Sequence, residues 1–327
     1  MAADVPPPAA SLGELEDAID RGRYGPIVAI EAEQHRTTTW SYRTNRSDAE
    51  WPHDIRSAGK SLTALAVGVA IADGHLESLD AKVWPILGAP ENDPHNDITV
   101  SDLLTMSSAL NCDDSERRSP GQEERMYRTR DWRAFAMSIP IDPEYRRDGS
   151  GQARFSYCTA GVFLLGQVVE AVTGERFDTY VERRIFAPLG ITNVVWRRSP
   201  SGQVQSGGQL RIGAADLGKI GRMVLDRGRW GDEQIVPEAW VAEMLTPRAQ
   251  PAPGIAYGYL WWLYHIPTPI GPQPSWIMSG NGGNLVAIFR AYDSVVVVQS
   301  AAYNQSQAGD RSFAIVRDAI AAMALPE

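Results

Sequence analysis

Period-two alternation, the mark of a half-buried strand, occurs at both ends of this chain and is almost missing between them. Ile27 to Glu33 alternates Ile, Val and Ala with other residues, and Thr37 to Tyr42 is rich in β-branched and aromatic residues, with Gln34-His35-Arg36 as a turn. The last eighty residues return to this pattern over Tyr257 to Tyr264, Ser275 to Ser279, Leu285 to Arg290 and Val295 to Ala301, with Tyr292-Asp293-Ser294 as one turn. Strands that short cannot bury a face alone. The two ends are therefore expected to complete one antiparallel sheet, flanked by helices, with a mostly helical insertion between: an α/β (α+β) fold.

The boundaries follow. Residues 1–24, with Pro6-Pro7-Pro8, read as a flexible tail; 25–80 and 240–327 form the sheet domain; 81–239 is mainly helical, with the active site between the two. Leu62, Leu65, Ala66 and Val69 fall on one helical face, so a helix is expected from near Ser57 to Gly74. Ser101-Asp102 starts a short helix through Met106, and Ala160 to Val172 is apolar nearly all round, as a buried helix is. Another helix runs from Asp178 to Pro188, an amphipathic one over Ala214 to Leu225, and a last one over Ser312 to Ala324.

Charge and length exclude several classes. The 327 residues carry a formal net charge of −9, which argues against nucleic acid and against a basic membrane-surface helix as partners. The longest strongly apolar run, Leu62 to Ala72, is too short for a membrane span. The first residues have neither a basic n-region nor an apolar h-region. Two readings stand: a cytoplasmic protein, or a periplasmic or secreted chain whose leader has been removed, the second preferred. Cys112 and Cys158 have no metal-ligand spacing; two buried thiols and one disulfide are both open. None of the five His falls in an H-x-x-x-H pattern, so neither metal nor cofactor is expected.

Only three of 31 basic residues are lysines, and one of them, Lys60, lies three residues after Ser57 at the start of the apolar helix. Positions i and i+3 share a helical face, so the hydroxyl and the amine are neighbours: a nucleophile beside a base. Gly59-Lys60-Ser61 resembles the end of a phosphate-binding loop, but Asp54 stands where its first Gly is required. Phe155-Ser156-Tyr157-Cys158-Thr159 leads into the helix at 160 and can aim the Tyr157 and Thr159 hydroxyls at one point. Met278-Ser279-Gly280-Asn281-Gly282-Gly283-Asn284 ends a strand with glycines that let backbone approach a ligand. Trp262 is a further wall candidate for the substrate pocket, and Asp113, Asp114 and the loop to Tyr127 are candidates for a lid.

In this order the three segments resemble the serine β-lactamase and penicillin-binding-protein superfamily, and more closely its class C-like branch with the family VIII carboxylesterases and 6-aminohexanoate-dimer hydrolase-like amidases. The likeness extends to Asp102-Leu-Leu-Thr-Met-Ser-Ser-Ala-Leu110, Thr159-Ala-Gly-Val-Phe-Leu-Leu-Gly166, Phe186-Ala-Pro-Leu-Gly-Ile191 and Tyr257-Gly-Tyr-Leu-Trp-Trp262. The resemblance implies Ser57 as acylated nucleophile, Lys60 as its partner and Tyr157 in the acid/base group. It implies an oxyanion hole from the N–H groups of Ser57 and Asn281, and Thr159, Ser279 and Gly280 as substrate contacts. Two positions depart from the pattern. Thr159 stands where Asn is usual, and Met278 where Lys or His would be. Losing that cation weakens recognition of a carboxylate, so the expected activity is cleavage of a small-molecule ester or amide. A class C-like β-lactamase or penicillin-binding-type peptidase acting on a lactam or peptide is the alternative, and a non-turnover, acylated sensor is another.

Overall fold

A computed structural model describes residues 6–44, 52–142, 144 and 153–324. Among them, eight strands form one antiparallel sheet. We label them β1 (Ile27–Gln34), β2 (Thr37–Arg43), β3 (Ala249–Ala252), β4 (Ile255–Tyr257), β5 (Trp262–Ile266), β6 (Gln273–Gly280), β7 (Asn284–Phe289) and β8 (Ser294–Ser300). Their order is β2-β1-β8-β7-β6-β5-β4-β3, so the N-terminal hairpin joins the C-terminal meander through β1 and β8. Val295 to Val298 in β8 are fully buried, as expected of a strand covered on both faces.

The helices that matter for the site are α1 (Leu12–Asp20), α2 (Lys60–Ala72), α3 (Val100–Leu104), α4 (Glu123–Tyr127), α5 (Thr159–Thr173), α6 (Ala214–Leu225) and α7 (Ala308–Met323). On one face of the sheet α1 and α7 cover Ile30, Ile277, Leu285 and Phe289. On the other, α2, α5 and α6 share a large core with Met278, Val286, Val295 and Val297. Helix α2 is buried over Lys60 to Ala70, and α5 over Thr159 to Val169, because both lie inside that core. Gly174, at φ 71°, ends α5 in the left-handed conformation that glycine adopts at no steric cost.

Four expectations need correction. Part of the expected 1–24 tail is α1: Ser11 caps it by accepting the Glu14 N–H, and Leu15, Ala18 and Ile19 are buried against the sheet domain. The leading prolines masked a short helix whose apolar residues lie on one face. Helix α6, placed in the helical insertion, packs instead on the sheet, where Gly221 leaves room for Val286 and Val295. The single strand expected over 257–264 is two, β4 and β5. They are joined by a turn in which the Gly258 N–H bonds the Trp261 carbonyl and Leu260 adopts φ 58°. The short helix begins at Val100, capped by Thr99 and Asp102 in a reciprocal capping box. Cys112 and Cys158 form a disulfide.

Candidate active site

The site begins in a strained turn. Arg56 has φ 53°, a left-handed conformation that costs a non-glycine residue about 1–3 kcal/mol. It is held from several sides. Its N–H bonds Asp54 Oδ1 at 2.9 Å, its carbonyl accepts the Gln209 N–H at 3.0 Å, and its guanidinium stacks over the Tyr303 ring at 4.4 Å. A 3-10 turn over Arg56–Gly59 leads into α2. Side chains three apart in such a turn eclipse, which keeps Ser57 and Lys60 together although the α-helix proper starts only at Lys60.

Lys60 is 1% exposed. Its Nζ donates to Ser57 Oγ at 2.9 Å and to the Gly207 carbonyl at 2.7 Å, so two bonds fix the amine beside the hydroxyl. The segment 205–210 was silent in the sequence, yet it forms the floor here. Gly208, at φ 135°, lies so close to the turn that a Cβ would stand 2.8 Å from the Arg56 carbonyl oxygen. Thr159 packs its methyl against Gly207 and is fully buried. Thr159, expected as a substrate contact, has its side chain buried against Gly207 at the base of the site.

Tyr157 reaches the same place by its ring. Lys60 Nζ stands 5.0 Å from the ring centre, over its face, and Trp262 stacks on the ring at 5.9 Å and 27°. The Lys60 amine therefore lies against the aromatic face of Tyr157.

Strand β6 closes the other side. Its end lies against the nucleophile turn so tightly that a Cβ on Gly280 would come within 2.0 Å of the Ile55 carbonyl oxygen. Beyond it, Asn281 is pinned by its own amide: Nδ2 donates to Asn304 Oδ1 at 3.1 Å and Oδ1 accepts the Asn304 N–H at 2.8 Å. Gly282 and Gly283 take φ 91° and 85° in the connection to β7. Met278 is fully buried in the core shared with α2, and so contributes no polar group to the site.

These parts enclose a cavity of about 350 Å³ lined by Ser57, Tyr157, Trp262, Ser279, Asn281 and Glu123, among others. Gly280 also lines it. Glu123 is the charged side chain of that lining; it opens α4 within the loop read as a lid candidate, and accepts the Tyr127 hydroxyl at 3.0 Å. Burial and the Glu123 carboxylate together push the Tyr127 phenol well above its ordinary range. A larger cavity, about 620 Å³, lies beyond Arg56 between His53, Arg211 and Tyr303; Ser57 does not line it. Among the described residues no group of three or more His, Cys, Asp or Glu could hold a metal ion, and no helix is long and apolar enough to cross a membrane.

Comparison with known proteins gives a consistent setting for this geometry. A family model described as Beta-lactamase matches residues 28–320. The 6-aminohexanoate-dimer hydrolase of Paenarthrobacter ureafaciens is 26% identical over 232 residues, which is 64% of this chain and 57% of that relative. The chain thus spans less than two thirds of that protein, and its match covers 33% of two further curated relatives. Among solved structures, a penicillin binding protein from Bacillus halodurans superposes with TM-score 0.72 at 20% identity, covering 92% of this chain and 98% of the other. A D-stereospecific amidohydrolase from Streptomyces sp. gives TM-score 0.68 at 22%, covering 95% and 98%. At these identities the structural likeness establishes the fold.

Proposed function

The chain belongs to the beta-lactamase family, and on that premise we propose that it is a serine hydrolase that cleaves an ester or amide through an acyl-enzyme on Ser57. One observation carries the reading: the buried Lys60 amine is held 2.9 Å from the Ser57 hydroxyl by a second bond to the Gly207 carbonyl. That is hydrogen-bond reach for a base to take the serine proton, with the base itself oriented by a third group.

In this mechanism Ser57 Oγ attacks the carbonyl carbon as its proton passes to the Lys60–Tyr157 pair. The carbonyl oxygen becomes an oxyanion facing the Ser57 and Asn281 N–H groups. The proton is then delivered to the leaving alcohol or amine, and water repeats the sequence to release the acid. A lysine or tyrosine of ordinary pKa must fall about three units, roughly 4 kcal/mol, to be half deprotonated at pH 7. Preorganised N–H donors add a few kcal/mol of transition-state stabilisation.

Two features favour neutral esters and amides over carboxylate-bearing lactams. The strand position where the resemblance asks for a cation holds the buried Met278, and the charged group lining the cavity is the Glu123 carboxylate. The reading is tested with p-nitrophenyl butyrate, an acyl anilide and nitrocefin on the protein and its Ser57→Ala variant. Rapid ester or anilide cleavage that disappears in the variant supports it. Nitrocefin turnover exceeding both, or hydrolysis that survives the variant, contradicts it.

A further inference from the structure

We infer that Asp114 is a positioning residue of this site, holding the Tyr157 segment in place and biasing the charge of the Lys60–Tyr157 pair without touching the substrate. The inference rests on the Ser57 acyl-enzyme reading above. Asp114 grips three elements at once. Its N–H donates to the Tyr157 carbonyl at 2.9 Å; its Oδ2 accepts the Thr159 N–H at 2.7 Å; its Oδ1 accepts the Glu123 N–H at 3.0 Å. The carboxyl thus bridges the start of α5, whose Thr159 packs on Gly207, to the start of α4, whose Glu123 lines the cavity. The Cys112–Cys158 disulfide ties the chain two residues before Asp114 to the same 157–159 segment. The backbone N–H holds Tyr157 and the carboxyl holds Thr159, so Asp114 fixes both residues flanking Cys158, and its side chain acts on Tyr157 through the Thr159 bond.

Charge is the second link. The groups that act on the Asp114 carboxyl are Glu123 and, more weakly and in the opposite sense, Lys60; the Tyr127 phenol also feels its charge. Desolvation, the largest cause, followed by Glu123, pushes Asp114 up to about 6, with Lys60 and the Thr159 hydrogen bonds pulling it back. A carboxyl raised in the folded state gives stability that is full below its ordinary value near 3.8 and is lost as pH rises through about 6. Acidification through that window therefore strengthens the fold through this group while it removes a negative charge from the site. Acid unfolding would weaken the fold over the same window, which separates the two effects.

A nearby anion favours a protonated lysine and disfavours a tyrosinate. Removing it lowers the pKa of whichever group serves as base. The test is Asp114→Asn and Asp114→Glu, with kcat, KM and the pH dependence of kcat/KM for p-nitrophenyl butyrate, and a thermal melt of each variant. Asn should lower kcat by about 10²-fold with KM changed less than about threefold, the scale expected of a misplaced but present catalytic group. It should also move the rising limb of the pH profile to lower pH. Glu, which keeps the charge but displaces the carboxyl, should lower kcat with the limb in place. An Asn variant that folds and keeps the wild-type limb overturns the inference; if Asn does not fold, a Glu variant with wild-type kcat does so. Hydrolysis that survives Ser57→Ala would instead remove the acyl-enzyme reading itself.

Discussion

Replacing Lys60 by Met removes one amine from a residue that is 1% exposed while nearly preserving its volume. Two bonds disappear, the 2.9 Å contact to Ser57 Oγ and the 2.7 Å contact to the Gly207 carbonyl. The catalytic loss follows from the first. General-base assistance contributes about 10²–10⁴-fold, so kcat for p-nitrophenyl butyrate should fall by that factor, equivalent to about 2.7–5.4 kcal/mol of barrier. KM should change little, because the side chain lies beneath the cavity. The effect on stability follows from the second: a carbonyl left buried without a donor costs about 1–3 kcal/mol, offset by the relief of a desolvated amine. The melting temperature should therefore shift modestly while activity collapses. Steady-state kinetics beside a thermal melt read both quantities. A Lys60→Met variant within threefold of the wild-type kcat, with Ser57→Ala inactive, would refute the assignment of the base and transfer it to Tyr157 alone.

Further outcomes follow from the same contacts. Gly280→Ala should destabilise the protein and abolish turnover together, since its Cβ would lie 2.0 Å from the Ile55 carbonyl oxygen and push β6 off the nucleophile turn; denaturant melts and ester hydrolysis of the variant check this. Tyr157→Phe should lower kcat by about 10²-fold while the melt stays within about 0.5 kcal/mol, because its contacts to Trp262 and Lys60 are made by the ring. Replacing both Cys112 and Cys158 by Ala should cost about 2–4 kcal/mol in a denaturant melt, given a sequence separation of 46 residues, with a larger fall in kcat than in substrate affinity because the bond ties the segment holding Tyr157.

What could be read in the sequence was whatever is encoded locally. The helices over Ala160 to Val172 and Ala214 to Leu225, the hairpin at His35-Arg36 and the strands at both ends follow from periodicity and turn chemistry, and the structure has them within a few residues. The Ser57–Lys60 pair is equally local, since three residues of helix suffice to join them. Gly207 is 147 residues from the amine it receives, and no pattern in the sequence announces that a carbonyl from a glycine pair lies under Lys60. The paired glycines and the positive φ of Gly208 are the one trace, and they signal tight packing without naming the partner. Thr159 is similar: a hydroxyl in the first turn of a helix can face either way, and its close packing on Gly207 is not encoded locally. Asp114 could be placed in the loop but not in its role, which depends on three hydrogen bonds to residues 9, 43 and 45 positions away. Met278 is buried in the core and places no polar group at that strand position.

The most direct measurement is to quench the protein during steady turnover of a slowly released acyl ester, digest it, and locate the added acyl mass by peptide mass spectrometry. The account predicts the adduct on the peptide that carries Ser57, and none in the Ser57→Ala variant. An adduct on Ser61 or Ser279, or turnover with no trapped acyl group under any substrate that hydrolyses, would contradict it.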